Sequence, residues 1–142
     1  MAGYSGTPLP KKLGIKPSCR LALAYPPDDI DEILGELPDG VEMCSTNSDS
    51  LDIIVFFTKQ RMLLEDHFGT LAGRLQPAGS LWIAWPKRSS RVETDLTENV
   101  VREVGLGEGL VDTKVCAISN IWSGLRFVYR LADRPALKGR RS

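Results

Sequence analysis

One histidine and three cysteines are all that this chain of 142 residues carries of the soft metal-binding and thiol side chains. No two cysteines have the C-x-x-C spacing, and His67 stands apart from all of them. Neither a zinc centre nor a redox dithiol is therefore built in, and no metal is expected. Cys19, Cys44 and Cys116 fall at or in apolar, strand-forming segments, where a free thiol behaves as a small hydrophobe. Their odd number fits reduced thiols in the cytoplasm. No serine is paired with a usable base and no two carboxylates flank a strand-end loop, so no catalytic residue is assigned. Charge of one sign is missing as well. Eighteen basic and eighteen acidic side chains cancel to a formal net charge of +0, which leaves no global field to draw the chain to a membrane. The basic end Lys138-Gly139-Arg140-Arg141 has no interleaved aromatics, which argues against nucleic acid. No apolar run reaches membrane-span length, and the opening MAGYSGTPLPKK lacks the apolar core of a signal peptide, so the expectation is a cytoplasmic protein.

What is present is an ordinary globular composition, 42% hydrophobic and 25% charged, enough for one domain with a real core. The stretch 79–105 organises the rest. Leu81-Trp82-Ile83-Ala84-Trp85 is an apolar run that stops at Pro86; a basic loop follows, then a helix with Asp95 and Glu98 at capping-box spacing and Leu96, Val100 and Val104 as its apolar stripe. Trp82 and Trp85 have opposite parity and so face opposite sides of a sheet. Upstream, Arg20–Tyr25 reads as a first strand closed by Pro26-Pro27. A short helix follows with Ile30, Ile33, Leu34 and Leu37 on one face, then a strand Val41–Ser45. Leu51–Phe57, LDIIVFF, is apolar on both faces and belongs in the middle of a parallel sheet. Leu64, Phe68, Leu71 and Leu75 mark a helix over Lys59–Leu75, which Gln76-Pro77-Ala78-Gly79 should break. Gly105 and Gly107 should end the later helix. Strands at Val111–Ile118 and Leu125–Leu131 are joined by a loop short enough to force an antiparallel hairpin. The organisation expected is an extended arm over 1–19, with one helical turn at Lys11–Ile15, one α/β domain over 20–131, and a basic disordered tail over 132–142.

Strand, helix, strand, strand, helix, strand, helix and hairpin, with LQPAGSLWIAWPK as a leader-Pro-Gly-strand element, resembles the class I methyltransferase-like variant of the Rossmann fold. The resemblance implies a three-layer αβα sandwich, its mostly parallel sheet ending in an antiparallel C-terminal hairpin. MAGYSGTPLPKKLGIKP, LWIAWPK, TDLTENVVRE, GLVDTKVCAI and WSGLRFVYR together resemble a bacterial domain-of-unknown-function family, DUF3052, across nearly all of Met1–Leu131; no activity comes with that resemblance.

A methyltransferase of this kind places a glycine-rich turn after its first strand and an acidic residue at the end of its second. Here the first strand ends Ala24-Tyr25-Pro26-Pro27-Asp28, and the second ends Cys44-Ser45-Thr46-Asn47, with Asp49 late. Proline offers no N–H and tyrosine fills the space a ligand would need, so no cofactor is expected. The first reading of function is thus a binding or regulatory module on a degenerate methyltransferase-like fold. The alternative is an enzyme or anionic-ligand binder using a strand-end pocket formed by Tyr25, Asp28, Thr58, Lys87, Arg88 and Ser90, its partner an anionic small molecule or an acidic protein surface. Asp95 and Glu98, at the start of the following helix, compete with an anion there. Asn99 is expected to fix Lys87 or Ser90. Weaker readings are an S-adenosylmethionine-dependent methyltransferase and a homo-oligomer pairing through the hairpin edge.

Overall fold

A computed structural model describes residues 7–141, with side chains as far as Leu137. Its centre is a six-stranded sheet built from β1 (Arg20–Ala24), β2 (Glu42–Cys44), β3 (Leu51–Phe57), β4 (Leu75–Pro86), β5 (Leu110–Ala117) and β6 (Trp122–Tyr129), in the order β2-β1-β3-β4-β6-β5. The pairs β1–β2, β1–β3 and β3–β4 are parallel, and β6 is antiparallel to both of its neighbours, β4 and β5. The C-terminal hairpin therefore folds back on itself, with β6 inside and β5 at the edge.

The sheet is buried on both faces, which is why β3 and β4 read as continuous apolar runs. On one face Ile54, Phe56, Leu81, Ile83 and Trp85 pack beneath Leu64, Phe68 and Leu71 of α3 (Arg61–Ala72) and Val101 and Val104 of α4 (Glu98–Gly107). On the other, Ile53, Val55, Phe57, Trp82 and Ala84 lie under Leu13 and Ile15, which follow from α1 (Leu9–Leu13), and under Leu34 of α2 (Ile30–Leu34). The two tryptophans of β4 take opposite faces, as their parity requires. The Trp82 indole N–H, fully buried, donates to the Leu13 carbonyl at 3.0 Å. That bond satisfies a donor that would otherwise be stranded in the core, and it ties the residues before β1 to the sheet.

Several elements differ from their expected form. The helical turn expected in the arm is present as α1 but begins two residues earlier, at Leu9, and Leu13 and Ile15 are buried against the body. α3 stops at Ala72, and Gln76-Pro77-Ala78-Gly79 does not separate it from β4 but lies within β4. Leu75 pairs with Leu51 and Ser80 with Ile53, so these four residues form an irregularity in the ladder, where Pro77 need not donate. Gly79 belongs to the same device: a Cβ there would meet the Leu51 carbonyl oxygen at 2.8 Å. The Asp52 carboxylate stitches this end of the sheet together, accepting from the Arg20 amide at 2.8 Å and from Gln76 Nε2 at 2.9 Å. The expected disordered tail contains α5 (Arg134–Arg141), with Leu137 buried. β6 begins at Trp122 and ends at Tyr129, leaving Leu131 exposed.

Gly105 does not end α4 either. It lies inside the helix, where an added Cβ would clash with the Phe127 ring on β6. The missing side chain lets the helix sit directly on the sheet. Gly105→Ala should destabilise the protein by about 1–3 kcal/mol from overpacking, although alanine in isolation favours a helix over glycine by about 1 kcal/mol. Combining it with Phe127→Leu should recover part of that loss in denaturant melts. Additive effects would mean that the two positions do not share this contact.

Candidate functional site

The carboxyl ends of β1, β3 and β4 meet the amino end of β6, because Pro86 pairs with Trp122 across the antiparallel seam. At the β1 exit, Tyr25 holds a left-handed φ of 51°, and Pro26-Pro27 follow. The Tyr25 side chain lies beside β3 and α3. It is 66% exposed, its ring 5.9 Å from that of Phe56 and 5.5 Å from that of His67 on α3. His67 and Phe56 meet edge-on at 6.0 Å, so the chain's one histidine supports an aromatic cluster. At the β2 exit no acid is presented. Asp49 lies just before β3, at the opposite end of the sheet, where its carboxylate accepts from Arg74 at 3.2 Å and its carbonyl from Arg20 at 2.8 Å.

The β4 exit is a tied-down loop. The Lys87 amide donates to the Ile121 carbonyl at 2.7 Å, across to the β5–β6 turn. Arg88–Ser90 form a single 3₁₀ turn, closed by Arg91 at φ 60°. The Ser90 hydroxyl donates to the Lys87 carbonyl at 2.6 Å and accepts from the Val92 amide at 3.2 Å, so this candidate residue shapes the loop. Thr94 then donates to the Lys59 carbonyl at 2.6 Å and accepts from the Leu96 amide.

The helix start is arranged differently from its sequence pattern. Thr97 is the N-cap of α4, accepting from the Val100 amide at 3.2 Å. Asp95 instead accepts from the Arg61 amide at 2.8 Å, capping α3 from a distant part of the chain. Glu98 is held by Arg102 at 2.6 Å, and Arg102 also bonds Asp112 at 2.9 Å and Asn99 at 3.2 Å. Asn99 thus fixes Arg102 and not the loop. Of the two acids expected to compete with an anion, Asp95 is committed to α3, whereas Glu98, although paired with Arg102, stays at the β4 exit.

Two pockets result. One, of about 680 Å³, is lined by Lys87, Arg88, Arg91, Thr94, Thr97 and the acids Glu93 and Glu98 among others. None of its three cations has an ion-pair partner among the described residues. The other, of about 320 Å³, is walled by Tyr25, Phe56, Phe57, Leu63 and Trp122, with Thr58 at its base. The six candidates therefore do not form a single pocket. Tyr25 and Thr58 line the aromatic one, Lys87 and Arg88 the cationic one, and Asp28 and Ser90 neither. Arg91 and Thr94 were not among them, and Thr94 could be found only from its tertiary bond to Lys59. Among the described residues no group of three or more His, Cys, Asp or Glu side chains could hold a metal ion, and no helix is long and apolar enough to cross a membrane.

No family model matches the chain, and no curated protein matches it in sequence. Solved structures do match in shape. The precorrin-6y C5,15-methyltransferase of Geobacter metallireducens GS-15 superposes with a TM-score of 0.62 at 8% identity, covering 86% of each chain. The magnesium protoporphyrin IX methyltransferase of Synechocystis PCC 6803, with bound S-adenosylmethionine, gives 0.57 at 9% identity, over 86% of this chain and 74% of that one. A SAM-dependent O-methyltransferase of Thermotoga maritima gives 0.54 at 5% identity, over 84% of this chain and 63% of that one. At such identities the likeness defines the fold: a methyltransferase-like Rossmann variant.

Burial pushes the Cys116 thiol above its ordinary value, with Lys12 and Lys114 pulling the other way, and burial does the same to Cys19. A raised value leaves less thiolate at a given pH, and the thiolate is the reactive form. Alkylation of Cys19 and Cys116 at pH 8 should therefore be slower than that of a free thiol and should quicken as pH rises. Peptide-mapped iodoacetamide kinetics showing either one faster than glutathione would contradict this. Asp95→Ala should cost about 1 kcal/mol, the value of a helix cap, and amide exchange should show the loss in the first turn of α3, not of α4.

Proposed function

We propose that the protein is a binding module that takes a small anion, or an acidic group on a partner, in the pocket at the β4 exit, and that it performs no methyl transfer. The observation carrying this reading is the set of three cations, Lys87, Arg88 and Arg91, gathered on one ordered loop without ion-pair partners among the described residues, while Asp95 caps α3 and Glu98, on the same pocket wall, is already paired with Arg102. Pro86 and the Ser90 hydrogen bonds hold the loop in place, so less conformational entropy is lost when a ligand binds. The hydroxyls of Thr94 and Thr97 sit on the same wall, although both already serve the backbone.

A second reading, S-adenosylmethionine-dependent methyl transfer, draws support from the fold shared with enzymes named for that reaction. The β1 exit speaks against it. Pro26 and Pro27 supply no N–H to a ligand, and no acid follows β2 to meet a ribose. Pairing of two copies through β5 has less support, because that edge carries an irregularity at Asp112/Lys114 and an exposed lysine, features that protect edges. Membership of the bacterial DUF3052 family and residence in the cytoplasm belong to the same proposal.

Lys87→Ala with Arg88→Ala should leave the melting temperature almost unchanged, within about 0.5 kcal/mol per exposed site. The pair should abolish binding of inorganic phosphate or citrate measured by calorimetry, and binding to the parent should weaken as salt rises. Unchanged anion binding in the double variant would refute the site. S-adenosylmethionine at millimolar concentration should not shift the melt, whereas a ligand at 100 times its dissociation constant would add about 2.7 kcal/mol. A clear shift would favour the second reading.

A further inference from the structure

The aromatic pocket beside the cationic one has its own unexplained features. Tyr25 adopts φ 51°, a region that is strained for a bulky residue, yet its ring is left 66% exposed at the pocket mouth. Burial of that ring is therefore not what offsets the strain. Phe56 and His67 hold it from beneath, at 5.9 and 5.5 Å. Across the pocket Trp122 stands edge-on to Phe57 at 5.1 Å. At the base is Thr58, only 5% exposed and one of two buried polar residues in the described core. Its hydroxyl donates to the Gln60 carbonyl and accepts from the Gln60 amide, both at 3.4 Å, beyond the usual length of either kind of bond. A buried hydroxyl so loosely held has capacity for a better partner. The volume of about 320 Å³ lies at the lower end of the range of small-molecule sites, enough for a ring system.

The two pockets share no lining residue but are linked by one hydrogen bond and by β6. The Thr94 hydroxyl on the cationic side bonds the carbonyl of Lys59 on the aromatic side at 2.6 Å, and Trp122 and Ser123, consecutive in β6, line one pocket each. We infer that the ligand of the cationic pocket is a planar aromatic ring carrying an anionic group, the ring lodged between Tyr25 and Trp122 with a polar ring substituent on Thr58, and the anion on Lys87 and Arg88. The inference rests on the anion-binding reading above and names the class of molecule bound.

Four probes separate the two claims: inorganic phosphate, indole, phenyl phosphate and the longer phenethyl phosphate, titrated by calorimetry and by amide chemical shifts. At least one aryl phosphate should bind about tenfold tighter than inorganic phosphate, shifting the amides of Thr58 and Lys87 together. Tyr25→Gly keeps the left-handed backbone at no steric cost, so its melting temperature should not fall. It should lower aryl phosphate affinity to that of inorganic phosphate and leave the latter unchanged. Thr58→Val should weaken an aryl phosphate bearing a ring hydroxyl more than the bare ring. If phosphate binds and neither aryl phosphate binds tighter, the inference fails and the anion reading survives. If indole moves Thr58 while phosphate and both aryl phosphates bind nowhere, the anion reading fails and the composite ligand fails with it. If no probe binds, both are wrong.

Discussion

β4 has no free side, and the rest of the molecule is fitted around that fact. It pairs with β3 in parallel and with β6 in antiparallel, and Trp82 and Trp85 are buried on opposite faces. Fully burying a large apolar side chain is worth about 1.5–3 kcal/mol, so a strand carrying Leu81, Trp82, Ile83 and Trp85 is held by both helical layers at once. The Trp82–Leu13 hydrogen bond extends the constraint to the first described helix. Several functional candidates at the strand ends inherit their position from this strand. Lys87 follows it directly, Trp122 pairs with its last residue, and the Thr58 amide bonds the Ala84 carbonyl at 3.0 Å.

The fold shared with methyltransferases and the β1 exit that departs from them are compatible because they rest on different parts of the chain. Sheet order and layers follow from apolar patterning, which tolerates almost any sequence of the right hydrophobic period. A cofactor site needs particular backbone donors in one loop. Here that loop is Tyr25-Pro26-Pro27, and the link from β2 to β3 is only the short polar run Ser45–Ser50. The sequence of that loop is independent of the core, since Ala22 and Ala24 are buried beneath the exit whatever follows them.

How much of this was legible in the sequence depended on whether the governing interaction was local. LDIIVFF announces a two-sided strand by itself, and the parity of Trp82 and Trp85 needs only a period of two. Pro77 and Gly79 look like helix breakers because the eye reads them against α3. Their role is set by Leu51, which is remote in sequence and adjacent across the ladder. Asp95 satisfies a capping-box pattern with Glu98, but the Arg61 amide took it first. The six candidate residues looked like one site because strand ends converge in such a sheet. Only the side chains reveal that Trp122, from the far end of the chain, stands on the aromatic side with Tyr25 and Thr58 while Lys87 and Arg88 line the other pocket.

The charge pattern follows the same division between local and tertiary effects. In sequence, the cations Arg88 and Arg91 are followed closely by the acids Glu93, Asp95 and Glu98, and the stretch looks self-neutralising. In the folded chain Glu98 is turned to Arg102, and through it to Asp112 on β5, while Asp95 serves α3. Those bonds knit α4 to the sheet and α3 to the loop, so they would be kept for stability whatever the pocket binds. Their by-product is a wall on which Lys87, Arg88 and Arg91 meet Glu93 and a Glu98 already bonded to Arg102. Three cations against two acids, one of them already paired, leave a local positive excess at the end of β4 in a chain of zero formal net charge, and packing sets it there.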